Sequence, residues 1–171
     1  IARIRDRGID RVFLDLKFHD IPNTVALAVR QAAKYGAWML TVHASGGPAM
    51  MAAAAEEAHY YGEEQAPLLV GVCVLTSLDQ TALTDHVGVC RTIEEQMVHL
   101  SSLAMIADLD GVVSSPREVK AVRAVLNHGV IVTPGIRADG APTHDQLRTG
   151  TAQQALADGA DYLVMGRPLM M

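Results

Sequence analysis

Two cysteines, no excess of basic charge and no long apolar run are the absences that first narrow what this chain of 171 residues can be. Cys73 lies inside the apolar run Leu68 to Leu75, and with Cys90 it makes too small a set for a disulfide scaffold. Both are expected to be reduced thiols, as in the cytoplasm. A formal net charge of −5 lacks the basic footprint needed to hold nucleic acid or an acidic membrane surface, so any anionic ligand must be gripped locally. No apolar run reaches membrane-spanning length, and Ile1 to Gly8 has no signal-peptide core, so a soluble, unexported protein is expected. Linkers, low-complexity runs and charge blocks are also missing, which predicts one domain over residues 1–171.

What is present is apolar. Half the residues are hydrophobic, enough for one substantial core. Short apolar strands alternate with helical segments, the pattern of parallel β/α units. Strands are predicted at Arg11–Leu16, Trp38–Val42, Leu68–Leu75, Gly111–Ser114, Val130–Thr133 and Tyr162–Met165. One helix starts at Pro22 and stops before Gly36, with Val25, Val29 and Ala33 on its buried face. Others are predicted at Ala49–Tyr61, Thr92–Ala107, Pro116–Asn127 and Thr151–Ala157, and Met50 to Ala55 reads as plain helix core. Six units fit an open doubly wound sheet or an incomplete (β/α)8 barrel, which typically needs about 250 residues. The opening residues look like the tail of a helix closed by Gly8, and the chain stops after Gly166-Arg167-Pro168, where a last barrel helix is due; a piece of a longer protein is therefore expected.

Chemistry concentrates in Asp15-Leu16-Lys17-Phe18-His19-Asp20-Ile21-Pro22-Asn23-Thr24. Strand alternation predicts that Asp15 and Lys17 share one face, with Leu14 and Leu16 on the other, and Asp20 in the following loop. Two carboxylates beside one ammonium hold it protonated, which suits an acid that protonates a carbanion. A structural ion pair at a strand end is the plainer alternative. Polar residues recur at the other strand ends, where α/β folds build their sites: His43-Ala44-Ser45-Gly46-Gly47, Thr76-Ser77, Ser114-Ser115, Thr133-Pro134-Gly135-Ile136-Arg137 and Gly166-Arg167. Gly135 and Gly166 permit close backbone approach, and Arg137 and Arg167 supply forked donors, so a phosphorylated substrate is expected.

On these motifs, which run from Arg11 to Pro168 in order, the chain resembles the bacterial form of orotidine 5'-monophosphate decarboxylase. The resemblance implies a TIM barrel present as about six β/α units and conversion of orotidine 5'-monophosphate to UMP in pyrimidine biosynthesis, without cofactor or metal. It implies that Lys17 donates the proton to C6 and that Asp15 is the charged neighbour of the departing carboxylate. It further implies a homodimer in which Asp20, with Ile21 and Thr24, crosses into the neighbouring site. Thr76 is implied to meet the pyrimidine, while Arg137, Gln146, Gly166 and Arg167 bind the phosphate or the loop over it, which would be Ala138 to Thr149. The family also uses an Asp and a Lys at two upstream strand ends; neither is in this sequence. Two alternatives follow: a magnesium-dependent sugar-phosphate decarboxylase or aldolase of the same barrel group, with His19 and His43 as the residues that would draw a metal, and a catalytically incomplete nucleotide-binding fragment.

Overall fold

The computed structural model describes residues 1–60, 62, 66–137 and 146–166. They divide into two compact units, one formed by Ile1–Val72 with Leu103–Gly111, the other by Cys73–Ser102 with Val112 onward.

The first unit opens with α1 (Ala2–Arg5), followed by β1 (Phe13–Phe18), α2 (Pro22–Lys34), β2 (Met39–His43), α3 (Pro48–His59) and β3 (Leu68–Val72). β1 pairs with β2 and β2 with β3, all parallel. α2 forms as its sequence dictates. Pro22 supplies a preset φ at the first turn, where the missing N–H costs nothing, and Val25, Val29, Ala32 and Ala33 fill one buried face. Gly36 ends it at φ 77, donating its N–H to Ala33 O while Ala37 N–H reaches back to Ala32 O. The small face of α3, with Ala54, Ala55 and Ala58 beside Met50 and Met51, is buried as expected. These side chains, with Met39, Leu40 and Val42 of β2 and Leu69 of β3, are among the buried residues of this unit, where each large side chain contributes roughly 1.5–3 kcal/mol on burial. Gly71 is closely packed: a Cβ there would sit 3.2 Å from Leu109 Cδ2.

In the second unit a π-helical turn at Ala82–His86 was not foreseen. Residues 93–102 begin α4 (Ile93–Ile106), whose start is a capping box: Thr92 Oγ1 accepts from Glu95 N at 3.2 Å and Glu95 Oε2 accepts from Thr92 N at 2.8 Å. The Thr92 N–H and, at 2.9 Å, the Thr92 hydroxyl donate to the Glu95 carboxyl and hold it below its usual pKa. β4 (Gly111–Val113), α5 (Val119–Val125), β5 (Val130–Thr133), α6 (Ala152–Ala157) and β6 (Tyr162–Leu163) complete the alternation, with β5 and β6 parallel.

One device recurs at the strand entries. Asp110, just before β4, accepts from Leu69 N at 2.7 Å, and Asp161, just before β6, accepts from Ile131 N at 2.7 Å. Each carboxylate satisfies a donor at the start of the preceding strand in its unit, which sets the register there.

Several expected boundaries move, for local reasons. β3 ends at Val72 rather than Leu75, since Val74 N–H goes to Met97 Sδ and the carbonyls of Val74 and Leu75 go to Arg148. The helix expected from Pro116 starts at Val119, because Ser115 and Glu118 close a turn through their side chains. β1 runs two residues later than expected, and β6 stops two residues early. The helix expected to reach Tyr61 ends at His59; Tyr61 lies outside the described residues.

Candidate functional site

Asp15 and Lys17 meet in an ion pair at the carboxyl end of β1. The regular alternation expected there does not hold. The ladder with β2 shifts between Leu14 and Phe18, and Lys17 sits at φ 50, the left-handed region that non-glycine residues rarely adopt. Leu14 is half-buried and Leu16 is 50% exposed, so Leu16 does not face the core. Such backbone persists only where neighbours over-determine it, and it clusters at functional sites. Thr41 is the neighbour responsible. Its fully buried hydroxyl accepts from Lys17 N at 2.8 Å and donates to Asp15 Oδ1 at 3.0 Å, fixing both members of the pair. A Thr in the otherwise apolar run Met39 to Val42 was the available signal for this role, and sequence reasoning missed it.

His43 ends the adjacent strand, with its ring 5.1 Å from that of His19. Burial holds its pKa below 6.5, with the charges of His19 and Lys17 adding to that and Asp15 opposing it. A neutral imidazole beside the ion pair follows. Among the described residues no group of three or more His, Cys, Asp or Glu is placed to hold a metal ion.

Asp20 does not reach Lys17; its carboxylate accepts from Ile21 N at 2.7 Å. Ile21 is 68% exposed and Thr24 is also exposed on the first turn of α2, so this edge of the motif faces outward in the chain.

In the second unit the strand exits gather other candidates. The Thr76 carbonyl accepts from Leu147 N at 3.0 Å and Arg148 N at 3.3 Å, which sets Gln146 beside the turn after β3. Arg137 N donates to Gly150 O at 2.9 Å, and Gly150 N to Gly135 O at 3.2 Å, so the exit of β5 is tied to the same segment. Gly135 is needed here: its φ is 85, and a Cβ would lie 3.0 Å from Arg148 O. Arg137 turns one guanidinium nitrogen onto Ile136 O at 2.7 Å. Buried Arg137 Nε, Gln146 Oε1 and Thr133 Oγ1 have no hydrogen-bond partner among the described residues. A buried polar atom without a partner is costly and calls for an explanation, of which a polar ligand is one. Gly166 is exposed, with nothing within 4 Å of an added Cβ. Arg167 and most of the expected loop, 138–145, lie outside the described residues.

Sequence reasoning also missed Glu118 and Arg148, a buried ion pair with Arg148 Nη1 2.6 Å from Glu118 Oε2. Burial lowers the Arg148 pKa from its usual value, and the Glu118 charge and hydrogen bond counter it. Nearby Cys73 is buried, which pushes its thiol up to about 12 and leaves it unreactive. Among the described residues no helix is long and apolar enough to cross a membrane.

The chain is 52% identical over 170 residues to the orotidine 5'-phosphate decarboxylase of Pseudoalteromonas translucida, covering 99% of this chain and 71% of that protein. It is 53% identical to that of Dichelobacter nodosus, covering 99% and 72%. Among solved structures, orotidine 5'-phosphate decarboxylase from Lactobacillus acidophilus superposes with a TM-score of 0.83 at 33% identity, over 97% of this chain and 70% of that one. An uncharacterized conserved protein from Geobacillus kaustophilus gives 0.82 at 35%, over 97% and 71%. The fold class is thus an incomplete TIM barrel of about six β/α units. A model of the orotidine 5'-phosphate decarboxylase / HUMPS family matches residues 1–171, and the chain belongs to that family.

Proposed function

We propose that this chain carries out the decarboxylation of orotidine 5'-monophosphate to UMP in pyrimidine biosynthesis, with Lys17 as the proton donor to C6. The observation that carries the reading is the Asp15–Lys17 ion pair at a strained strand end, with Thr41 bonded to both. Loss of carbon dioxide from C6 leaves an electron pair that no ring carbonyl delocalises well. Stabilisation must then come from a cation already in place, and a Lys held by backbone and carboxylate meets that need without reorganising. Asp15 stands beside the departing carboxylate and is paired with Lys17, whose proton moves to C6.

Thr76 meets the pyrimidine, and Arg137, Gln146, Gly166 and Arg167 bind the phosphate. Buried polar atoms on Arg137 and Gln146 without a partner among the described residues support this assignment. Binding energy from the phosphate holds the ring against Lys17, so these residues serve turnover as well as affinity. Asp20, Ile21 and Thr24 complete the site of a second subunit in a cytoplasmic homodimer. Their outward exposure supports the shared site, and two cysteines that form no disulfide among the described residues fit a reducing compartment.

The test is loss of orotidine 5'-monophosphate ultraviolet absorbance in the presence of a chelator, comparing the wild type with Lys17→Ala. The variant is expected to lose on the order of 10³-fold in turnover, the scale of removing one preorganised charge-stabilising group. Equal turnover in the two proteins refutes the role of Lys17, and activity only with added magnesium supports the sugar-phosphate alternative.

A further inference from the structure

The segment Gln146–Gly150 carries an arginine whose work is not explained by contact with substrate. Arg148 is 3% exposed, and its guanidinium spans three partners: Glu118 Oε2 at 2.6 Å, Val74 O at 2.8 Å and Leu75 O at 2.9 Å. Glu118 is itself buried and held by the Ser115 hydroxyl. The two carbonyls belong to the exit of β3, immediately before Thr76, while Ser115 and Glu118 follow β4. Backbone bonds add the third exit: Gly150 joins Gly135 and Arg137 after β5, and a Cβ on Gly150 would lie 2.7 Å from Pro116 Cβ. The buried fork fastens two strand exits, and the backbone of Gly150 a third, to the short segment that bears Gln146.

The chemistry of the fork matters. Removing a charged pair from water is costly, and a buried pair is retained where its geometry is fully used. Five donors in a fixed plane can hold a carboxylate and two carbonyls at once; a lysine ammonium on a flexible stem cannot reproduce that directionality. Arg148 Nε stays without a hydrogen-bond partner among the described residues, so only the terminal nitrogens are engaged. This arrangement fixes the position of the segment more than it maximises the number of bonds.

We propose that Arg148, oriented by Glu118, is a positioning residue that clamps Gln146 against the Thr76 turn, so that phosphate and pyrimidine contacts form one prealigned surface. The proposal rests on the assignment of Gln146 to phosphate binding made above. Arg148 touches no substrate; it acts through Gln146.

The experiment is a double-mutant cycle on UMP binding by calorimetry, with wild type, Arg148→Lys, Gln146→Ala and the double variant. Arg148→Lys keeps the charge but loses the fork, and is expected to weaken UMP on the order of tenfold or more, the scale of misplacing a contact by a fraction of an ångström. In the Gln146→Ala background the same change should cost less than about twofold, since independent sites would add and coupled ones do not. An equal factor in both backgrounds overturns the proposal, whereas failure of the wild type to bind UMP overturns the phosphate assignment instead. A second measurement needs no variant: hydrogen exchange of the Leu147 and Arg148 amides, both bonded to Thr76 O. Protection without nucleotide is expected of a preformed clamp, and rapid exchange that slows only when UMP binds overturns it.

Discussion

Replacing Thr41 by Val keeps the shape of a fully buried side chain while removing the one hydroxyl that holds Lys17 and Asp15. No cavity is made, so the cost is polar. Lys17 N–H loses its acceptor, and a buried donor without a partner costs about 1–3 kcal/mol. Asp15 is about half exposed, so water replaces most of the lost bond to its carboxylate and that part is small. The expected loss is therefore about 2 kcal/mol, or roughly 4–8 °C in Tm for a chain of this size. Lys17 at φ 50 is held there by this bond, so turnover should fall further than stability predicts as the lysine relaxes from its strained backbone. Urea denaturation and orotidine 5'-monophosphate turnover should be measured together, with Thr41→Ser as the control that restores the hydroxyl. A stability change within about 0.5 kcal/mol and unchanged turnover would refute the claim that Thr41 imposes the geometry.

Gly135→Ala forces a side chain into φ 85 against Arg148 O, and should cost about 2 kcal/mol or more and weaken UMP; a neutral effect in denaturation would show that the close approach relaxes freely. His43 resists protonation in the folded chain, so the unfolded chain binds more protons below pH 6.5, and unfolding free energy should fall as pH drops through that value and level off above it. His43→Gln should flatten this slope, and an unchanged slope assigns it to another group. Subunits carrying Asp20→Ala mixed with subunits carrying Lys17→Ala should recover activity above either parent if Asp20 completes the neighbouring site; no recovery argues against sharing.

Local signals were legible where one residue enforces one conformation. Pro22 started α2, Gly36 ended it, and the buried positions Val25, Val29 and Ala33 fell where helical spacing put them. Asp15 and Lys17 could be paired from their spacing, although the shift in the β1 ladder changed which neighbours face the core. The apolar run from Leu68 to Leu75 did not show where pairing stops, because apolar character is the same for a strand and for a buried exit segment. What stops it is Arg148, far along the chain, which takes the carbonyls of Val74 and Leu75. The turn at Ser115 to Glu118 replaced a first helical turn for the same kind of reason, a side-chain bond that competes with the backbone.

The sequence by itself determined the alternation of strand and helix, the motif order and the family, since these depend on periodicity and on residue types close together in the chain. Only the tertiary structure decided the left-handed backbone of Lys17, the role of Thr41 and the Glu118–Arg148 fork. Each depends on bonds between residues 24 or more positions apart, Lys17 to Thr41 and Arg148 to Glu118, Val74 and Leu75, and no local preference encodes a partner at that distance.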